Sequence, residues 1–286
     1  MICNLVLHNF KSFRSNPLNI DTLIDCHAAT DRGMRRRLNE DVSVCDPDLG
    51  LFLVADGMGG ENCGDVASKL TAETFKSSIA PYILDEEATA PFEHTGEGDF
   101  FLNALGHSVE QTNHTVLQAV KDNPTCKGMG STLTAALIQE NLLYIVHVGD
   151  SRLYCYHDGL LTPLTEDHTR VQEMVNKKIL SAEEARTHHQ RNIITRCVGR
   201  KKQFKPDILK MDLVSDALYL ICSDGLYDML EDVEILDIIQ SSQDLEWMGS
   251  QLVERANRAG GKDNITVVLF RPASETVSGE ETSSGD

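Results

Sequence analysis

Short apolar runs recur along the chain at 51–55, 131–138, 142–148, 152–157, 217–222 and 265–270. They are rich in Val, Ile, Leu, Thr and Tyr and are bounded by Gly, Asp or Asn, the pattern of strands closed by turns. Tyr156-His157-Asp158-Gly159-Leu160 reads as a tight hairpin, because Asp-Gly suits a two-residue turn with φ > 0. Gln139-Glu140-Asn141 reads as another hairpin connection. Strands joined so tightly must run antiparallel.

Two longer segments change period. Val66, Ala67, Leu70, Thr74, Phe75, Ser78 and Ile79 share one face at helical spacing. Phe101, Leu102, Leu105, Val109, Val116, Leu117 and Val120 do the same, and a later helix is predicted over 245–259. The acidic, turn-rich stretch 85–98 reads as a loop between the first two. Residues 1–24 show no clear period and are expected to form an N-terminal extension. Residues 272–286 have the composition of a disordered tail. No internal repeat is visible. Antiparallel strand groups with helices inserted between them predict an α+β layer arrangement.

With 286 residues, 41% hydrophobic and 24% charged, the chain has ample material for a core. Its net charge of -18 argues against nucleic acid as a partner, since phosphate backbones call for Lys and Arg. It suits a soluble surface or a site that gathers cations. No apolar run approaches the ~18 residues of a membrane helix, and the N-terminus lacks the basic region and cleavage site of a leader. A cytoplasmic protein is expected. The eight cysteines make no C-x-x-C pair, so no zinc spacing appears and reduced thiols are expected.

Glycines suggest nucleotide binding, but the fingerprints fail. After Gly57-x-Gly59 the third glycine position is Asn62. Gly128-Met129-Gly130-Ser131-Thr132 lacks the lysine that a phosphate loop places before its hydroxyl residue.

The aspartates are more informative. Three apolar runs end in Asp56, Asp150 and Asp224, and a fourth begins just after Asp263. Any one of them alone reads as a cap or turn residue. Four in the same placement raise the prospect of convergence. Two carboxylates ~4 Å apart repel by roughly 4 kcal/mol at an effective dielectric near 20, so a cation, protons or basic groups must offset them. An oxygen-only set points to Mg²⁺ or Mn²⁺. A pair of such ions can activate water for in-line displacement at phosphorus. Arg35-Arg36-Arg37 is the candidate anion clamp, because arginine grips phosphate bidentately; the alternative is a solvated basic face.

The chain resembles the metal-dependent serine/threonine protein phosphatases of the type 2C family in their bacterial form. The resemblance rests on six stretches in family order across about 26–270: residues 30–41 (TDRGMRRRLNED), 54–60 (VADGMGG), 128–132 (GMGST), 148–152 (VGDSR), 222–226 (CSDGL) and 262–266 (KDNIT). It implies a catalytic domain over 25–271, built as a sandwich of two antiparallel sheets flanked by helices (α-β-β-α). It implies two Mn²⁺ or Mg²⁺ ions bridged by Asp56, with the carbonyl of Gly57 and the carboxylates of Asp224 and Asp263 completing the site. Asp150 with Asp224 would hold a weaker third ion. Glu40 and Asp41 would hold metal-bound waters, and Arg36 would clamp the phosphate. A metal-bridging hydroxide would attack phosphoserine or phosphothreonine directly.

Met58 stands where some members carry a histidine proposed as proton donor, so that role is open. Residues 166–193 match the mobile flap beside the site. His168, His188 and His189 in or near it read as surface or packing residues. The resemblance further implies a monomer acting on phosphoproteins, a Ser/Thr kinase or its targets. Three alternatives stand: a catalytically weak relative that binds phosphoproteins as a regulatory module, a phosphatase for small phosphomonoesters, and a non-enzymatic cation-binding module.

Overall fold

The computed structural model describes residues 24–59, 63–85 and 99–272. The predicted extension, the loop after the first helix and the tail fall largely or wholly outside them, as do Gly60 and Asn62. The strands form two antiparallel sheets. One orders β1 (Ile24–Asp31), β11 (Ile265–Pro272), β10 (Leu218–Cys222), β7 (Arg152–His157) and β8 (Leu160–Pro163). The other orders β2 (Asp41–Asp46), β3 (Leu51–Met58), β5 (Leu133–Gln139), β6 (Leu142–Val148) and β9 (Asp207–Asp212), with the short β4 (Gly130–Ser131) beside the end of β3.

The run Leu51 to Ala55 shows why the sheets stack. Leu51, Leu53 and Ala55 pack outward against α1 (Gly64–Leu84) and α2 (Phe100–Asp122), with Phe75, Ile79, Leu105 and Val109. Phe52 and Val54 point the other way, into the space between the sheets, with Leu153, Ile221 and Val268. A strand buried on both faces needs apolar residues at every position, and this one has them. Phe52 stacks on Phe270 with ring centroids 4.2 Å apart, and Tyr219 continues the stack at 5.1 Å. Each fully buried aromatic contributes roughly 1.5–3 kcal/mol.

On the far side, α6 (Asp232–Gln240) and α7 (Leu245–Arg258) close the other sheet, with Ile235, Ile238, Met248 and Leu252 against Leu220 and Leu269. The result is the four-layer α-β-β-α sandwich. Three short α-helices, α3 (Arg170–Asn176), α4 (Ala182–Thr187) and α5 (Asp224–Tyr227), and a single 3-10 turn at Pro124–Cys126 complete the described helices.

The predicted hairpins are present. Asp158 and Gly159 take φ of 51° and 77° between β7 and β8, and Glu140 takes 54° between β5 and β6. Four strands escaped the sequence reading: β1, β2, β8 and β9. They are the edge strands of the two sheets. An edge strand is half-covered, so its residues need no continuous apolar run; β1 reads mostly half-buried along its length. Val66, expected on the buried face of α1, is instead 39% exposed, because Ala67 and Ser68 take the contact with the sheet.

The expectation of reduced thiols is also corrected. Cys63 and Cys126 form a disulfide with Cα atoms 5.5 Å apart. It ties the start of α1 to the turn after α2. Sequence spacing did not pair them because 63 positions separate them and only the packing of α1 on α2 brings them together. No helix among the described residues is long and apolar enough to cross a membrane.

Candidate metal centre

Antiparallel order carries the end of β3 and the start of β2 to the same edge of the sandwich. Asp41 and Asp56 stand directly opposite each other in that ladder. The end of β10 delivers Asp224, the approach to β11 delivers Asp263, and the turn from β6 to β7 delivers Asp150. Asp56 thus lies within electrostatic reach of Asp41, Asp224, Asp150 and Asp263, which spacing alone left open.

The electrostatics report the same cluster. Asp41 and Asp150 are buried, at 8% and 5% exposure, while Asp56, Asp224 and Asp263 keep a solvent-facing edge. Desolvation by the surrounding protein, then the charges of Asp41, Asp224, Asp150 and Asp263, hold Asp56 well above the usual carboxylate range. Asp224 is raised in the same way by burial, then by Asp150 and Asp263. Burial, then Asp167, pushes Asp150 to about 7. Burial pushes Asp41 to about 6, against the hydrogen bond it accepts from Ser223. Glu40 is raised by burial, with Arg36 opposing.

Local bonds fix these groups. Ser223 Oγ donates to Asp41 Oδ2 at 2.7 Å and accepts from the Thr266 amide at 3.0 Å, tying β2 to β10 and β11. The Asp56 amide donates to Thr132 Oγ1 at 2.8 Å, and the Thr132 amide returns a bond to the Asp56 carbonyl at 2.9 Å. Gly57 cannot be another residue: a Cβ there would stand 2.0 Å from the Gly64 carbonyl oxygen and 2.7 Å from that of Glu40. That closeness lets the Gly64 amide reach Glu40 Oε1 at 3.1 Å.

Asp41 Oδ1 and Asp224 Oδ1 are buried and have no hydrogen-bond partner. Unsatisfied buried carboxylate oxygens are costly, and an oxygen-seeking cation would satisfy them. Yet among the described residues no three His, Cys, Asp or Glu side chains stand close enough to cage a single ion. The carboxylates feel each other's charge without sharing one point.

Arg36 is present at the cluster, but its partner is a carboxylate: Nη2 donates to Asp263 Oδ2 at 2.5 Å. Burial alone would lower its pKa; the hydrogen bond and charge of Asp263 leave it raised. The sequence reading assigned no role to Ser223, Thr132 or the Asn264 side chain, although all three lie within the quoted motif stretches. Polar residues beside the acidic ones were the available signal.

Residues 166–193, expected to match a flap, include α3 and α4. His168 is buried, accepting from the Gly149 amide through Nδ1 at 3.1 Å, with Nε2 3.2 Å from Asp207. His188 and His189 pair with each other, centroids 4.3 Å apart. A groove of about 1430 Å³ between α2 and residues 202–208 lies apart from this cluster and includes none of its residues.

The family model for protein phosphatase 2C matches residues 37–269. The serine/threonine protein phosphatase PstP of Mycobacterium tuberculosis is 37% identical over 249 residues, covering 87% of this chain and 45% of that protein. The chain thus spans about half the length of that relative. The serine/threonine phosphatase stp of Listeria welshimeri is 33% identical over 247 residues, covering 84% of this chain and 92% of that one. The crystal structure of a PstP catalytic domain in complex with two manganese ions aligns with a TM-score of 0.74 at 34% identity, covering 87% of this chain and 97% of that one.

Proposed function

The chain belongs to the protein phosphatase 2C family, and on that premise we propose that it is a divalent-metal-dependent phosphatase of phosphoserine and phosphothreonine in proteins. One observation carries the metal dependence. Asp41, Asp56, Asp150 and Asp224 gather at one end of the sandwich with raised pKa values and two unsatisfied oxygens; Arg152 opposes the rise at Asp150, and no lysine or histidine among the described residues is a leading influence on any of the four. That donor set fits hard cations. Because no three carboxylates cage a single point, the set fits ions that each take few protein oxygens and keep waters, as Mg²⁺ does.

Asp56, central in the cluster, would bridge two ions, with the Gly57 carbonyl and Asp224 and Asp263 as further ligands. Asp150 beside Asp224 would serve a weaker third. Asp41 and Glu40 would orient waters at the rim. When bound, such an ion pair supplies an acidified water and neutralises charge on phosphoryl oxygens. Arg36 would hold the phosphate by a bidentate contact. For that, its guanidinium must leave Asp263, which frees this carboxylate for a cation. The exchange swaps one salt link for another at a half-exposed site, so it is not costly. Met58 carries no titratable proton, so the leaving alkoxide must be protonated from elsewhere.

Residues 25–271 would form the catalytic domain, with 166–193 as a flap beside the aspartates. A cytoplasmic monomer opposing a Ser/Thr kinase is the matching cellular reading. Every carboxylate of the set is present, which does not favour a non-catalytic regulatory module. The test is release of phosphate from a phosphothreonine peptide by the purified chain with Mn²⁺. Release lost with EDTA and in Asp56→Ala supports the reading; no release with any divalent ion overturns it.

A further inference from the structure

The loop between β1 and β2 carries Arg35, Arg36 and Arg37, and its shape is unusually well fixed. The buried Asn264 side chain donates through Nδ2 to the carbonyls of Arg32 (2.8 Å) and Leu38 (2.9 Å), closing the loop at both ends. Its Oδ1 accepts the Glu40 amide at 2.8 Å. Asp31 Oδ1 accepts the Gly33 amide at 2.7 Å, and the Met34 amide donates to the Gly261 carbonyl at 2.8 Å. Gly33 takes φ +78°, and a Cβ there would lie 2.0 Å from the Asp263 carbonyl oxygen. The loop is thus pressed against the backbone of a proposed metal ligand.

Its exposed side chains differ in their partners. Arg36 pairs with Asp263. Arg35 and Arg37 are exposed and, like Arg32, Arg170, Arg200 and Arg255, have no carboxylate partner among the described residues; what sets them apart is their place on either side of Arg36. In a chain of net charge -18, carboxylates are abundant. Two unpaired guanidiniums on a rigid loop, one on each side of the phosphate clamp, therefore leave binding capacity for an anion that arrives with the substrate. Met34 (68% exposed) and Leu38 (50%) add apolar surface at the two ends of the arginine run.

We propose that Arg35 and Arg37 select phosphopeptides with Asp or Glu beside the phosphoresidue, and that Met34 and Leu38 support the peptide backbone there. The proposal rests on the phosphatase reading of the metal centre. A pinned loop pays little ordering entropy on binding, so such contacts convert efficiently into specificity. Each exposed charge pair is individually weak, so two of them together give about a tenfold preference at low ionic strength.

The experiment compares kcat/KM for phosphothreonine peptides of equal length with Glu, Ala or Lys flanks, alongside p-nitrophenyl phosphate, using the full chain with Mn²⁺. The wild type should prefer Glu flanks over Lys flanks by about tenfold, and about 0.5 M salt should shrink the ratio. The pair R35A/R37A should bring the ratio close to one, and R35E/R37E should invert it. Both side chains are exposed, so neither pair of replacements opens a cavity. A wild-type ratio near one, or an unchanged ratio in R35A/R37A, overturns the proposal while p-nitrophenyl phosphate turnover leaves the phosphatase reading standing. No turnover of any substrate by the wild type overturns both.

Discussion

Asp41 and Asp56 face each other across the first two strands of one sheet, burial raising Asp41 to about 6 and burial with the neighbouring carboxylates holding Asp56 well above the usual carboxylate range. Two carboxylates in register at a sheet end are a standing electrostatic cost. Ser223 offsets part of it by donating to Asp41. The remainder explains why the metal-free chain should be sensitive to pH and to cations.

The pH dependence has a definite sign. Asp41 and Asp150 rise from ordinary aspartate values near 3.8 to about 6 and about 7 in the folded chain. A carboxyl group with a raised folded pKa binds more protons in the native state, so stability falls as pH climbs through that window. The Tm of EDTA-treated protein should therefore drop between pH 5 and pH 7.5 from this cluster. Mn²⁺ should raise Tm more at pH 7.5 than at pH 5, as melting curves at the two pH values would reveal. An equal shift at both would contradict the account.

Asp224→Asn should separate fold from function. It removes one negative charge from a cluster whose members raise each other's pKa values. Without metal at pH 7.5 the variant should melt no lower than the wild type, while phosphopeptide turnover falls by about 10²-fold or more, the scale of losing a key electrostatic group. Thermal melts and turnover measured on one preparation decide it. Retained turnover would remove Asp224 from the metal centre.

Gly57→Ala should damage the fold. The new methyl group would meet two backbone carbonyl oxygens, neither of which can rotate away. A cost of about 3 kcal/mol is expected, at the upper end for overpacking. Urea titration would measure it, and Gly106→Ala, where the nearest atom to a new Cβ is 3.6 Å away at the Ile208 Cδ1 tip, serves as the mild control.

The Cys63–Cys126 bridge closes a loop spanning 63 positions. Reducing it, or replacing Cys126 with Ser, should cost about 3 kcal/mol through the freed unfolded chain. Melting with and without dithiothreitol tests this, and Cys126→Ser should abolish the difference. A reductant effect that persists in that variant would place the sensitive thiols elsewhere.

Much of this protein is readable from its linear pattern. The interior strands, the two hairpin turns and the long helices follow from local periodicity, because a strand such as β3, covered on both faces, must be apolar throughout. The acidic residues at strand ends were visible as a shared placement, and the resemblance supplied an assignment for each. The four edge strands were not legible, since half-covered backbone tolerates polar residues and leaves no periodic trace. Nor were the contacts that join distant positions: Ser223 with Asp41, Asn264 with both ends of the arginine loop, and Cys63 with Cys126. Sequence alone determined which residue types stand at each strand end, because that is a local property of the chain. Only the tertiary structure decided which of those ends meet, which arginine pairs and which are left free, because those outcomes depend on the stacking of two sheets, a relation between segments that no local pattern encodes.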